Sequence, residues 1–227
     1  MTAGVFITGT DTGSGKTFVS AGLLRGLSRR GLRAAGMKPV ASGCERGPTG
    51  GWINADAQAL QAASAGAWDY AVINPYALPE PMAPQFAAER HGCEIELAPI
   101  VAAYRQLCAA SDRVVVEGIG GWRVPLSASL ATRDLVARLE LPVILVVGLR
   151  LGCINHALMT AEALAADGVR FLGWVANHFD PDYTTAAETL ATLNAGLAAP
   201  LLAQVPTGAG SDDPCWDRLA ACLDHGR

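Results

Sequence analysis

Apolar and polar positions along the chain fall into two alternating patterns. Short, nearly continuous apolar runs recur as VFIT from Val5, AAGMKPV from Ala34, RVVVEG from Arg113, VILVVG from Val143, FLGWVAN from Phe171 and LLAQV from Leu201. Runs of this kind, apolar on successive residues, mark strands covered on both faces. Between them lie longer, alanine-rich stretches with helical spacing: Phe18 to Leu27, Asn54 to Ala63, Leu97 to Ala110, Ile154 to Ala166 and Tyr183 to Leu197. Strand alternating with helix predicts an α/β fold, a mainly parallel sheet with helices on both faces. Two stretches fit neither pattern. Ser42 to Asn54, with four glycines and Pro48, is expected to be a mobile loop, and Asn74 to Pro84, with four prolines, an irregular segment.

Composition narrows the picture without changing it. With 227 residues, 51% of them hydrophobic and 17% charged, one core is sufficient, and a single domain over 1–227 is expected. A formal net charge of -4, with no basic run longer than Arg29-Arg30, argues against nucleic acid or an anionic membrane as partner. The apolar segment Leu141 to Leu149 contains Pro142 and Gly148 and is too short to span a bilayer. With no basic segment followed by an apolar one at the N-terminus, a cytoplasmic location is expected. Six scattered cysteines without C-x-x-C, and four histidines without a ligand-spaced pair, make structural zinc and a disulfide frame poor expectations.

In an open parallel sheet, ligands gather beyond the carboxyl ends of the strands, so those ends carry the candidate chemistry. The first reads VFITGTDTGSGKT, Val5 to Thr17: an apolar run, a loop closing on Gly15-Lys16-Thr17, then a helical segment. This is the order of a phosphate-binding loop, in which backbone N–H groups and a helix N-terminus receive a polyphosphate. Lys16 would neutralise β and γ oxygens, and the Thr17 hydroxyl would face magnesium. The common signature G-x-x-x-x-G-K-[ST] has four residues between its glycines, whereas five separate Gly9 from Gly15. A dinucleotide fingerprint fails, since neither GSGKTF nor GIGGWR completes G-x-G-x-x-G.

The other strand ends supply Lys38, whose following Pro39 stops helical continuation, and Glu117, which precedes the glycine-rich Gly118-Ile119-Gly120. Lys38 and Lys16 are both expected at a solvent-facing sheet edge. Asp56 has two readings: a magnesium ligand, or a first-turn acid in a helix capped by Asn54. Asn177 ends a further strand, where its amide could pair with adenine N6 and N7. The succeeding His178-Phe179-Asp180 resembles a guanine-reading N-K-x-D, but without its lysine. Cys153 and His156 read as packing or capping residues, and five dispersed tryptophans as packing or rim residues.

Together the motifs TGTDTGSGKT, AGMKPVASG, NADA, INPY, EGIGGWRVPLS, PVILVVGLRLGCINHA and GWVAN resemble, in order and over most of the chain, the ATP-dependent dethiobiotin synthetase family. That family also carries five residues between the two glycines of its loop. It usually has a bulkier pair, often glutamate and valine, where this chain has Gly13-Ser14. The resemblance implies a P-loop NTPase-like fold and ring closure of 7,8-diaminononanoate with CO2, through a carbamate and a carbamic-phosphoric anhydride, giving dethiobiotin, ADP and phosphate. It implies an ATP site at Gly13, Ser14, Gly15, Lys16, Thr17 and Phe18, with Gly118, Ile119 and Gly120 beside it. Asn177, His178, Pro206, Thr207 and Gly208 would lie on the adenine side. Magnesium would sit at Thr17, Asp56 and Glu117, and Lys38 and Lys16 would be catalytic. Thr12 and Ser42 would orient the carbamate or diamine. Gly152, Cys153, Ile154 and Asn155 would hold the diamine's carboxylate for the other subunit of a homodimer, through N–H groups at a helix start. Two rival classes share such a loop. A partitioning ATPase would carry an extra early lysine where this chain has Thr10 and Asp11, and a cobyrinate-type amide ligase would need an ammonia source.

Overall fold

The structure, a computed structural model, describes residues 3–223, so the outermost residues of the expected 1–227 domain lie outside the described part. The chain opens with β1 (Ala3–Gly9), α1 (Lys16–Arg29), β2 (Ala34–Met37) and β3 (Val40–Ser42). A small hairpin of β4 (Glu45–Arg46) and β5 (Trp52–Ile53) leads to α2 (Ala55–Ala63), α3 (Tyr70–Ile73), β6 (Tyr76–Leu78) and α4 (Pro84–His91). Then follow α5 (Leu97–Ala110), β7 (Arg113–Glu117), α6 (Thr132–Leu139), β8 (Val143–Gly148) and α7 (Cys153–Ala166). The order ends with β9 (Phe171–Asn177), α8 (Ala186–Gly196), β10 (Leu201–Val205) and α9 (Pro214–Ala221).

Six strands form one sheet in the order β10-β9-β8-β1-β7-β2, and every pairing in it is parallel. Alternate side chains of each strand go to opposite faces, which explains the continuous apolar runs. Val5, Ile7, Val115, Ile144 and Val146 pack against α1 and α9. On the other face Phe6, Val114, Val116 and Val143 meet α5 and α6, while Leu145, Val147 and Trp174 meet α7 and α8. Trp216 of α9 is fully buried, lying where side chains at Gly22 and Gly26 of α1 would stand. Among the described residues no helix is long and apolar enough to cross a membrane.

Three local features depart from the sequence reading. The apolar run from Ala34 divides at Lys38-Pro39, because proline has no N–H for the ladder. Only β2 joins the main sheet, and β3 pairs in parallel with β6. The segment expected as a mobile loop, Ser42 to Asn54, contains the β4–β5 hairpin, closed by Gly47 N–H to the Gly51 carbonyl at 2.8 Å and by Arg46 over the Trp52 ring at 4.0 Å. The proline-rich stretch from Asn74 holds β6, and α3, α4, α6 and α9 lie outside the helical stretches that the spacing marks.

Candidate active site

The loop from Gly9 to Thr17 leaves β1 at its carboxyl end and enters α1. Its glycines do specific work: Gly15 is the N-cap of α1 with φ +93°, and a Cβ there would stand 2.0 Å from Asn177 Nδ2. The Asn177 amide in turn donates to the Ser14 carbonyl at 3.1 Å, tying the end of β9 to the loop. Ser14 itself is buried and faces no cavity, so its contribution is through the backbone.

A cavity of about 1140 Å³ opens above these strand ends. Thr12, Gly13, Gly15, Lys16, Thr17 and Phe18 line one side of it. Lys38, Ser42 and Asp56 line a second, and Ile119 and Gly120 a third. Glu117 lies beneath, with no exposed surface, and Gly118 meets Lys38 through its carbonyl.

Three elements distant in sequence converge on the floor. Lys38 Nζ donates to Glu117 Oε1 at 2.5 Å, to Asp56 Oδ2 at 3.1 Å and to the Gly118 carbonyl at 3.1 Å. These three acceptors match the three N–H bonds of an ammonium. Thr17 Oγ1 donates to Glu117 Oε1 at 2.8 Å. Asn54 caps α2, accepting from the Asp56 and Ala57 N–H groups at 3.0 and 3.3 Å. The cap thus belongs to Asn54, Asp56 stands in the first turn of α2, and its carboxylate reaches Lys38.

The two lysines are not at an open edge as expected. Lys16 is 7% and Lys38 3% exposed, and they are the chain's only lysines among 17 lysines and arginines. Burial opposes the charge of Lys38, but the Glu117 and Asp56 carboxylates more than offset it and hold its pKa above the ordinary value. The burial that opposes charge on Asp56 is likewise overridden, chiefly by Lys38, so its pKa is lowered. Lys16, resting on the Asp11 carbonyl at 2.8 Å, has no such carboxylate in contact. Burial, then repulsion from Lys38, bring its pKa down to about 8. Arginine, which keeps its charge at any ordinary pH, could not be tuned in this way.

A second cavity of about 260 Å³ continues past Gly13, Gly15 and Phe18 to Asn177, His178, Pro206 and Gly208. Thr207 lies just outside, its hydroxyl donating to the His178 carbonyl. Phe179, which sequence reasoning passed over, lines this cavity and is 41% exposed. Its place directly after Asn177-His178 at a strand end was the available signal. Trp122 and Arg123 were missed as part of the larger cavity's wall, and Trp122 is fixed by donating to Asp167 Oδ2 at 2.7 Å.

Gly152, Cys153, Ile154 and Asn155 line neither cavity. Gly152, with φ +91°, caps α7, and the Cys153 N–H expected to be open is donated to the Arg150 carbonyl at 3.1 Å. That anion site is therefore reduced to later N–H groups. Cys153 is buried, as a packing residue would be, whereas Leu151 is 92% and Met159 60% exposed.

Residues 3–214 match the family model described as AAA domain. The chain is 56% identical over 207 residues to ATP-dependent dethiobiotin synthetase BioD of Xanthomonas axonopodis pv. citri, covering 91% of this chain and 92% of the relative. It is 55% identical to the protein of that name from Xanthomonas euvesicatoria pv. vesicatoria, over 97% and 95% of the two chains. Among solved structures, the septum site-determining protein MinD of Pyrococcus horikoshii, complexed with Mg-ADP, has a TM-score of 0.58 at 16% identity, with 99% and 97% coverage. Cobyrinic acid a,c-diamide synthase of Mycobacterium smegmatis, with an ATP analog and magnesium, has a TM-score of 0.57 at 15% identity, with 100% and 98% coverage. These structures establish the P-loop NTPase-like fold alone. The cobyrinic acid synthase is of the amide-ligase class named above, whereas the two Xanthomonas relatives at 56% and 55% identity carry one synthetase name.

Proposed function

The chain belongs to the ATP-dependent dethiobiotin synthetases, ATP-dependent cyclo-ligases of biotin synthesis, and from that premise we propose how its own residues close the ring. One amine of 7,8-diaminononanoate takes up CO2 as a carbamate. A carbamate oxygen attacks the γ-phosphorus of ATP, releasing ADP and leaving a carbamic-phosphoric anhydride. The second amine attacks the carbonyl carbon, phosphate departs, and the cyclic urea of dethiobiotin remains. The convergence of the chain's two lysines on one cavity carries this reading. Negative charge accumulates between carbamate and γ-phosphate, and catalysis requires fixed cations at that point. Lys38 would exchange its bond to the more exposed Asp56 for one to the carbamate, while Glu117 keeps the ammonium in place. Thr12 and Ser42 would orient carbamate and diamine.

Thr17, Asp56 and Glu117 fit magnesium. They offer two carboxylates and a hydroxyl, and Glu117 Oε2 is buried without a hydrogen-bond partner, the small set of hard oxygen ligands that magnesium takes beside a triphosphate. Bound there, the ion would withdraw charge from the β and γ oxygens. Alanine at Thr17, Asp56 or Glu117 is expected to raise the magnesium concentration required for half-maximal activity, with calcium a poor substitute. If Asp56→Ala alters the melting temperature alone, Asp56 serves only the first turn of α2.

On the base side, one N–H of the Asn177 amide is engaged by the Ser14 carbonyl, and its oxygen would be the acceptor offered to an incoming base. An acceptor there favours adenine, with its exocyclic amine, over a base with a carbonyl at that position. His178, Pro206 and Gly208 would flank the base. The α7 start, which lines neither cavity of its own chain but is exposed at Leu151, would serve the other subunit of a homodimer. Mixing Lys16→Ala subunits with subunits carrying a bulky residue at Gly152 should then restore part of the activity, because one composite site per mixed dimer lacks both defects. No recovery after confirmed subunit exchange would place each site within one chain.

Lys16 gives a pH expectation with opposite signs for binding and stability. Its pKa near 8 rises when a polyphosphate arrives, so ATP binding takes up a proton above that pH. Calorimetry should find affinity falling about tenfold between pH 7 and 9. For the ligand-free chain the sign reverses. The unfolded state holds this proton up to about 10.5 and the folded state only to about 8. The Lys16 contribution to stability therefore becomes more favourable as pH rises through that window. An affinity that does not change from pH 7 to 9 would remove Lys16 from the phosphate site.

The reaction itself is tested by mass spectrometry of products from diamine, labelled bicarbonate, magnesium and ATP. A cyclic urea carrying the label is expected. ADP release without it would overturn the ring-closure reading.

A further inference from the structure

The phosphate loop carries a single carboxylate of its own, Asp11, at the wall of the larger cavity where a polyanion would enter. Left unpaired, that charge would oppose the ligand the loop is shaped to receive. Its two oxygens are both engaged. Oδ1 accepts from the Thr10 hydroxyl at 2.7 Å, and Oδ2 is paired with Arg150 Nη2. The backbone carbonyl of the same residue accepts from Lys16 Nζ. Arg150 lies in the turn after β8, lines neither the large cavity nor the base-side one, and reaches the loop only through this pair.

We propose that Arg150 is a positioning residue for nucleotide binding, which pairs with Asp11 to cancel the phosphate loop's own negative charge and to fix the peptide on which Lys16 rests. This rests on the reading of the cavity as an ATP site. The charges around the cavity floor and loop balance as Lys16, Lys38 and Arg150 against Asp11, Asp56 and Glu117. Removing Arg150 leaves one negative charge in excess beside a polyanion. Removing the Asp11 charge leaves one positive charge in excess. The two single changes should therefore move ATP affinity in opposite directions, although each breaks the same bond. A tether whose only role is to hold the loop's shape would make both changes weaken binding.

The test is calorimetric titration of the full chain with ATP and magnesium chloride, without diamine or bicarbonate, alongside thermal denaturation to establish folding. Arg150→Met is expected to weaken ATP about five- to tenfold, the scale of one partly screened charge interaction. Asp11→Asn is expected to tighten it, and the double variant to return within about threefold of the unmodified chain. Arg150→Lys, which keeps the charge, should recover most of the loss. Equal affinity for Arg150→Met and the unmodified chain, or weakening by Asp11→Asn as well, would overturn the proposal while leaving the ATP site intact. Absence of ATP binding to the unmodified chain would overturn the site reading and this proposal together.

Discussion

Lys38→Met is expected to lower single-turnover phosphate release by a hundredfold or more and, unlike an ordinary catalytic substitution, to destabilise the fold. In the proposed reaction, the first effect follows from removing a preorganised cation where transition-state charge would gather. The second follows from burial. Lys38 and Glu117 side chains are 4% and 0% exposed, so the substitution strands a buried carboxylate. Breaking one partner out of such a pair costs on the order of 3–5 kcal/mol. Lys38→Arg should not rescue either property. A planar guanidinium cannot place three donors on Glu117, Asp56 and the Gly118 carbonyl as an ammonium does. The double variant Lys38→Met with Glu117→Gln should regain much of the stability while remaining inactive, since it removes the stranded charge but not the need for a cation. Thermal denaturation and rapid-quench phosphate release separate the two effects. A fully stable Lys38→Met chain would mean that solvent reaches Glu117, and one with normal turnover would remove Lys38 from the chemistry.

The contrast between Lys16 and Lys38 also marks where sequence reasoning stops. The phosphate loop was legible because strand, glycine-rich turn and helix N-terminus are contiguous between Val5 and Leu27, and local order suffices to put Lys16 and Thr17 at the start of α1, though not to foresee the burial of Lys16. The parallel sheet was legible for a similar reason, since burial on both faces leaves apolar runs that need no partner to be recognised. The burial of Lys38 was not, because its environment is made by Glu117, 79 positions away, and by Asp56, reached only when Asn54 starts α2. A lysine after a strand reads as exposed until that distant carboxylate is known. The β4–β5 hairpin and β6 were hidden by glycine and proline, which signal irregular chain, and their strands are only two or three residues long. For Arg150 and Asp11 the separation is 139 residues, and nothing local in either segment indicates the pairing.

Gly15→Ala is expected to abolish measurable ATP binding, a loss of a hundredfold or more, while Gly13→Ala in the same loop weakens it far less. Both glycines have left-handed backbone, φ +93° at Gly15 and φ +84° at Gly13. Any L side chain there costs about 1–2 kcal/mol. That cost is common to the two positions and cannot separate them. Space does. A Cβ at Gly13 meets nothing within 4 Å, whereas at Gly15 it falls 2.0 Å from Asn177 Nδ2 and 3.1 Å from Asn177 Cγ. Asn177 is 3% exposed and held to the Ser14 carbonyl, so it cannot swing aside without breaking the bond that joins β9 to the loop. The loop must move instead, and Gly15 is the residue from which α1 begins, so Lys16 and Thr17 move with it. One methyl group would thus shift Lys16 and Thr17 relative to the Asn177 amide, which stays with β9. Calorimetric titration with ATP and thermal denaturation of both variants provide the comparison. Gly15→Ala,Asn177→Ala, which removes the obstruction but leaves the backbone strain, should recover phosphate affinity measured with inorganic triphosphate to about the level of Gly13→Ala. If it does not, strain at the helix start, and not the contact with Asn177, fixes glycine at position 15.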